Sequence, residues 1–296
     1  MIYDLRHVTT YNYEAPVAST LCALRLSPRE SREQHVIDAG IDVTPAPVAR
    51  HTRRDFFGNQ VTTLRIEELH RELRVTSLAR IEVHRAPQPH ADLTPAWEDV
   101  RRDAMASRTL DARSPAHHIF PSRLAPLYGP ATAYAAESFT AGRPALAAAI
   151  DLMQRIRRDF RYDPEATLVS TPLSQAFEQR GGVCQDFAHI MIAGLRGLGV
   201  PAAYVSGYIR TIPPPGQPRL EGADVSHAWV RVWCGPNAGW CGLDPTNALQ
   251  VNDDHIEVAV GRDYADVSPI DGVILSSGRQ KMNVSVDVKP VEPALV

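Results

Sequence analysis

Cysteine is scarce in this chain, and so are long apolar runs, phosphate-binding loops and any excess of one charge. Four cysteines in 296 residues (Cys22, Cys184, Cys234 and Cys241) cannot build a disulfide scaffold, and none of them forms the CxxC pair of a structural zinc site. No stretch approaches the length that spans a bilayer. Residues Met1 to Thr10 carry Asp4, Arg6 and His7 and do not read as a secretory signal. A cytoplasmic, reducing location is therefore expected, and it would keep these thiols free. The net charge of −3, with basic residues spread along the chain, gives no footprint for nucleic acid or an anionic membrane. Neither a Gly-rich phosphate loop nor a GxSxG elbow occurs, and no internal repeat is present. No cofactor and no metal site is expected.

What is present divides into two textures. Residues 1–86 read as a β domain, with strands over Ile2 to Tyr13, His35 to Val43, Val61 to Ile66 and Leu73 to Val83. In the last of these, Leu73, Val75, Ala79, Ile81 and Val83 share one parity, while Arg74, Thr76, Arg80 and Glu82 share the other. This alternation gives a sheet with one wet face, hence a small antiparallel sandwich or barrel. Residues 87–143 read as a linker and helical lead-in, with one helix near Trp97 to Met105. Residues 144–296 read as a second domain in which helices come first and strands follow, an α+β arrangement. Its helices are Pro144 to Phe160, Pro172 to Arg180 with Thr171 as cap, and one beginning at Cys184. Its strands are Ala202 to Ile209, His227 to Trp233, Trp240 to Leu243, Gly272 to Leu275 and Met282 to Val288. Thr211 to Gly222 reads as a polar loop bordering whatever site the adjoining strands build.

The run Gly181-Gly182-Val183-Cys184-Gln185-Asp186-Phe187-Ala188-His189 carries the chemistry. Ala188, Met191, Ile192, Leu195 and Leu198 fall 4, 7, 8, 11 and 14 residues after Cys184, the spacing of a core-facing helix stripe closed by Gly199. A thiol in the first turn of that helix meets unpaired N–H groups and the positive end of the dipole, which favour a thiolate. The same N–H groups can hold an oxyanion. The two glycines would let a substrate backbone approach. The plainer reading is a small buried hydrophobe.

His227 and Asp244 complete the set. In Ser226 to Trp233 the even positions are small and aliphatic, while His227, Trp229, Arg231 and Trp233 share the other face. If the strand at Trp240 pairs with this one around a two-residue loop at Gly235-Pro236, residues 227 and 244 are direct partners. Their Cβ atoms would then lie roughly 4.5–5.5 Å apart. A carboxylate there can fix the tautomer and orientation of the imidazole. Taken alone, Asp244 could merely open the turn Asp-Pro-Thr-Asn. That register puts Cys234 and Cys241 on the opposite face, out of step for a disulfide. His189 and Asp186 read as structural, His117-His118 as a solvated pair, and Asp253-Asp254-His255 as no metal motif.

Gly-Val-Cys-Gln-Asp-Phe-Ala-His, then Tyr204-Val205-Ser206-Gly207-Tyr208, Ser-His-Ala-Trp and Asp-Pro-Thr-Asn, in that order, closely resemble the bacterial transglutaminase-like family, whose members are described as cysteine proteases. The β-rich N-terminal segment resembles the region usually fused to that core. The resemblance implies a papain-like, transglutaminase-like α+β core preceded by a β-sandwich-like domain. It also implies that Cys184 is the nucleophile, His227 the base and later acid, and Asp244 the orienting group of an acyl transfer through a thioester. Val183 stands where animal transglutaminases have Gln before the cysteine, so an oxyanion partner is not carried over, and neither is calcium dependence. Arg231 replaces a more usual acidic residue and could tune substrate charge. Three functions follow: a cysteine hydrolase of peptide, isopeptide or amide bonds in a peptide or protein substrate; a protein-glutamine transglutaminase with an amine acceptor; and a non-catalytic binding module on the same core.

Overall fold

Alternating apolar residues build most of the first strands, which are β1 (Ile2–Val17), β2 (Ser19–Leu24), β3 (Gln34–Thr44), β4 (Ala49–Arg54), β5 (Gln60–Ile66) and β6 (His70–Val83). The computed structural model describes residues 1–211 and 226–291. In β6 the expected face is buried, from Leu73 to Val83 at every second residue. The expected strands are all present, and β2 and β4 are additional. Among the described residues β4 is exposed along its whole length, so it has no apolar stripe by which to be recognised.

The stretch between the two textures is less of a linker than its composition suggests. It holds α1 (Trp97–Ala106) and α2 (Gly129–Ala136). Val100 and Ala104 of α1 pack with Ala145 and Trp233. A short bridge joins Ala96 to Pro144, and Gln88 donates to the carbonyl of Gly242 at 2.9 Å. Then come α3 (Ala145–Asp159), β7 (Arg161–Tyr162), α4 (Leu173–Glu178), β8 (Gly181–Gly182) and α5 (Cys184–Gly197). Pro172, not Thr171, occupies the position before α4, and the Thr171 hydroxyl instead accepts from the Leu168 N–H at 2.8 Å. The core sheet follows with β9 (Ala202–Ile209), β10 (Ser226–Trp233), β11 (Trp240–Asp244), β12 (Leu249–Gln250) and β13 (His255–Gly261), in the order β12-β11-β10-β9-β13. The loop expected after Thr211 lies outside the described residues.

After α6 (Tyr264–Val267) the chain goes back to its start. β14 (Ile270–Leu275) pairs with β2, and β15 (Gln280–Pro290) pairs with β1 from Tyr3↔Pro290 to Tyr13↔Gln280. The two sheets β15-β1-β6-β3 and β14-β2-β5-β4 form a sandwich around Val17, Leu24, Leu64, Ile66 and Val75. Assigning 144–296 to one catalytic unit therefore misplaces the last two strands. Their alternation makes them strands, but only long-range pairing decides which sheet they join.

The sandwich is welded to the core. Tyr3, Leu5 and Ile81 pack against Tyr208, Ile256 and Val258 of β9 and β13. Helix α5 sits behind the core sheet and is buried from Gln185 to Arg196, not on one stripe alone. Sheet residues Ala228, Val230 and Leu243 cover one side, and Ala131 and Ala135 of α2 cover another. Side chains at Gly194 and Gly197 would collide with Ala135 and Thr132, so the α2–α5 approach requires glycine.

Candidate active site

Cys184 opens α5 because three neighbours set the helix start. β8 pairs in parallel with β7, and Val183 is extended before the first turn. The Asp186 carboxylate accepts from the Val183 N–H at 2.9 Å and from the Thr167 hydroxyl at 2.6 Å. Burial raises the pKa of Asp186, and those two hydrogen bonds oppose the rise. Gly182, at φ 157°, could not carry a side chain, because a Cβ would sit inside the Asp186 carboxylate. Its glycine therefore serves the helix cap, a local need separate from any approach of substrate. The Gln185 amide donates to the Val169 carbonyl at 3.1 Å. Cys184 itself is half-buried, whereas Cys22, Cys234 and Cys241 are buried.

His227 projects from the start of β10, and its Nε2 lies 2.8 Å from Oδ2 of Asp244. With Nε2 taken by the carboxylate, Nδ1 is the ring nitrogen left for Cys184, which lines the same cleft. The strand register differs from the expected one by two residues: Val230 pairs with Leu243 and Trp233 with Trp240. Asp244 thus stands across from Trp229. The longer turn, closed by Cys234 N–H to Gly239 at 2.8 Å, produces the shift. A two-residue shift preserves parity, so His227 and Asp244 still share a face. Burial would lower the His227 pKa, but hydrogen bonds to Asp244 and Cys184 and the charges of both carry it up to about 10.

Asp244 is fully buried and heavily supplied with donors. Its Oδ1 accepts from the N–H groups of Thr246 at 2.9 Å and Asn247 at 3.2 Å. Its Oδ2 takes the Asn247 amide at 2.8 Å besides His227. A second histidine, His255 on β13, places Nε2 3.4 Å from the same oxygen. Burial alone would raise the Asp244 pKa, yet these partners hold it well below the usual carboxylate range. Asp244 therefore both opens the turn and holds the ring. Trp229 covers the ring at 6.1 Å between centroids, and Gly207 makes room for the indole, since a Cβ there would meet both Trp229 and the Ile256 carbonyl.

Cys184 and His227 open onto a cleft of about 400 Å³. Hollows of about 670 and 620 Å³ lie elsewhere, so volume does not single out this one; chemistry does. One wall is core, with Tyr204, Ala228 and Tyr264. The other belongs to the sandwich, with His7, Thr9 and Tyr11 of β1 and Met282 and Val284 of β15.

Residues 3–82 match the bacterial transglutaminase-like N-terminal region, and residues 132–245 match the transglutaminase-like superfamily. An uncharacterized protein of Mycobacterium tuberculosis is 38% identical over 302 residues, covering 98% of this chain and 93% of that one. The chain belongs to the bacterial transglutaminase-like family. A solved structure from Cytophaga hutchinsonii, described as a "putative cysteine protease", superposes with a TM-score of 0.75 at 20% identity, over 99% of this chain and 92% of that chain, and shares the fold. The protein-glutamine gamma-glutamyltransferase of Pseudomonas aeruginosa is 34% identical over 114 residues, 36% of this chain and 17% of that protein. Family and fold together support a thiol-dependent enzyme.

Other side chains of this transglutaminase-like core have structural tasks. His189 is buried, its Nε2 accepts from the Tyr264 N–H at 3.2 Å, and burial pushes its pKa down to about 4. His117-His118 is not a solvated pair: His118 is buried between Phe57 and Trp240, with its pKa lowered to about 3 chiefly by burial. Arg231 does not line the cleft of Cys184 and His227 and grips Glu257 at 2.5 and 2.6 Å. Cys234 and Cys241 are buried and free, as expected. In the sequence His255 was weighed only as part of a metal motif and Asn247 only as part of a turn, and neither was given a place at the site. Asn247 stood inside the Asp-Pro-Thr-Asn run and could have been found there, whereas His255 carried no local signal.

Proposed function

We propose that Cys184, His227 and Asp244 act as nucleophile, proton carrier and orienting group in acyl transfer, and that the reaction is hydrolysis of a peptide, isopeptide or amide bond. One observation carries the reading. A single imidazole, held by a buried carboxylate at 2.8 Å and with its pKa lifted to about 10, shares one cleft with a half-buried thiol. Such a ring is protonated at neutral pH and favours a thiolate partner. The sulfur attacks the carbonyl carbon, forming a C–S bond and an oxyanion near the start of α5. His227 then gives its proton to the leaving nitrogen as the C–N bond breaks. The neutral ring next takes a proton from water, whose oxygen displaces the sulfur, releasing the acid and restoring the thiolate–imidazolium pair.

A second reading has its own support. The relative named a protein-glutamine gamma-glutamyltransferase shares 34% identity over 114 residues. In this case an amine rather than water resolves the thioester. A peptide and amide substrate screen, wild type against Cys184→Ala with and without an added primary amine, tests both. Product that depends on Cys184 is expected without amine. Product that appears only with amine overturns hydrolysis in favour of transamidation, and product unaffected by Cys184→Ala overturns the thiol reading altogether. A cytoplasmic location belongs to this same proposal, supported by the four free thiols. No helix among the described residues is long and apolar enough to cross a membrane.

A further inference from the structure

The wall that the sandwich lends to the cleft is built by cross-strand neighbours. Tyr11 lies opposite Met282 and Thr9 opposite Val284 in the β1–β15 ladder. Met282 and Val284 are 55% and 47% exposed, so apolar side chains meet water at the rim of the cleft that holds the thiol. Exposed apolar groups beside a site mark binding more often than chance placement. Across the cleft stand Tyr264, Pro269 and Ile270.

Charge is the second observation. Among the described residues that line this cleft there is no Asp, Glu, Lys or Arg. His7 is the one ionisable side chain that the sandwich contributes as a potential cation. Its Nδ1 is 2.9 Å from the Tyr208 hydroxyl and its Nε2 is 2.8 Å from the Thr9 hydroxyl, so both ring nitrogens are engaged. Burial drives its pKa down to about 4, which leaves it neutral. A charged side chain lying against the β1–β15 wall would lose water and find no counter-ion on it, whereas an apolar one would cover Met282 and Val284.

We propose that the β1–β15 face is the subsite for the side chain of the acyl donor, and that it selects a neutral, apolar residue next to the carbonyl under attack. This rests on the reading of Cys184 as nucleophile. Residues outside the match to the superfamily core, Met282 and Val284, thereby set specificity for chemistry performed inside it.

Active-site-directed alkylation tests the subsite apart from the reaction. N-acetyl-leucyl, N-acetyl-lysyl and N-acetyl-glutamyl chloromethyl ketones each form a C–S bond to Cys184 with loss of chloride, and iodoacetamide serves as the reference without a side chain. Modification of Cys184 is followed by mass spectrometry. The leucyl reagent should react faster than the lysyl and glutamyl reagents by about tenfold or more, relative to iodoacetamide. Met282→Glu and Val284→Glu, both at exposed positions, should reduce the leucyl-over-lysyl preference by about tenfold when each rate is divided by that variant's own iodoacetamide rate, with the thermal midpoint held. Equal rates for the three ketones, or an unchanged preference in both variants, overturn the subsite while leaving the nucleophile intact. If iodoacetamide labels Cys184 no faster in wild type than in His227→Ala, the nucleophile reading fails and the subsite goes with it.

Discussion

His255 Nε2 lies 3.4 Å from Oδ2 of Asp244, the same oxygen that holds His227 at 2.8 Å. The Nδ1 of His255 lies 3.0 Å from Oδ1 and 3.3 Å from N of Asn252, so the ring is held between Asn252 and the carboxylate. Asp244 is thereby steadied from a strand three places away in the sheet, and His255 is a positioning residue. His255→Leu should lower kcat roughly tenfold, the worth of one such hydrogen bond, with KM little changed. It should also draw the alkaline limb of the pH profile to lower pH. A kcat loss with an unmoved limb would mean a packing defect only.

Asp244→Asn should cost turnover about a hundredfold or more, because the amide cannot keep the ring in its tautomer. It should also cost stability. The carboxylate takes five donors, from Thr246, Asn247 twice, His227 and His255, and the amide cannot satisfy them all. A loss of about 1–3 kcal/mol is expected in denaturant unfolding. Full stability together with full turnover would reduce Asp244 to a turn residue.

Protonation of His227 ties stability to pH with a definite sign. The folded ring titrates near 10 against an ordinary 6.5, so folding favours the charged form. That contribution is complete below pH 6.5 and is lost as the pH rises through 10. The thermal midpoint of wild type should fall over this window, and that of His227→Ala should fall less. Iodoacetamide labelling of Cys184 in His227→Ala should be at least about tenfold slower than in wild type near pH 7. Equal rates would show that exposure alone makes this thiol reactive.

Arg231→Ala should destabilise the protein by about 1–3 kcal/mol, since it removes the hydrogen-bonded partner of a buried carboxylate. Glu257 would retain Arg85 only at 3.6 Å. Preference between acidic and basic substrates should not change. A changed charge preference at full stability would return Arg231 to the substrate.

Gly207→Ala should be destabilising by about 1–3 kcal/mol through overpacking. Gly207 pairs with His227 in the ladder, and its added methyl would press on Trp229 and the Ile256 carbonyl. Alkylation of Cys184 should slow as the ring is displaced. An unchanged melting curve would show that the indole yields without cost.

Much of this was legible because it was local. The parity of Leu73 to Val83, the stripe after Cys184 and the shared face of His227 and Asp244 all follow from periods of two and 3.6. The register error between β10 and β11 arose from a turn longer than two residues, and parity absorbed it. β13 was missed because His255 to Gly261 is buried on both faces and so shows no alternation. With it went His255, whose role depends on a partner eleven residues away in another strand. β4 was missed for the opposite reason, having no buried face at all. Arg231 was read as a possible tuner of substrate charge because its partner Glu257 sits on that same unrecognised strand.

The return of β15 to β1 makes the two extremities of the fold one seam. Tension, proteolytic nicking or deletion that parts Tyr11 from Met282 would also tear away one bank of the cleft beside Cys184. A fragment limited to 132–245 would hold the sulfur, the imidazole and the carboxylate yet leave them facing open water. Engineering a minimal version of this protein therefore means preserving its first strand and its last together, or neither.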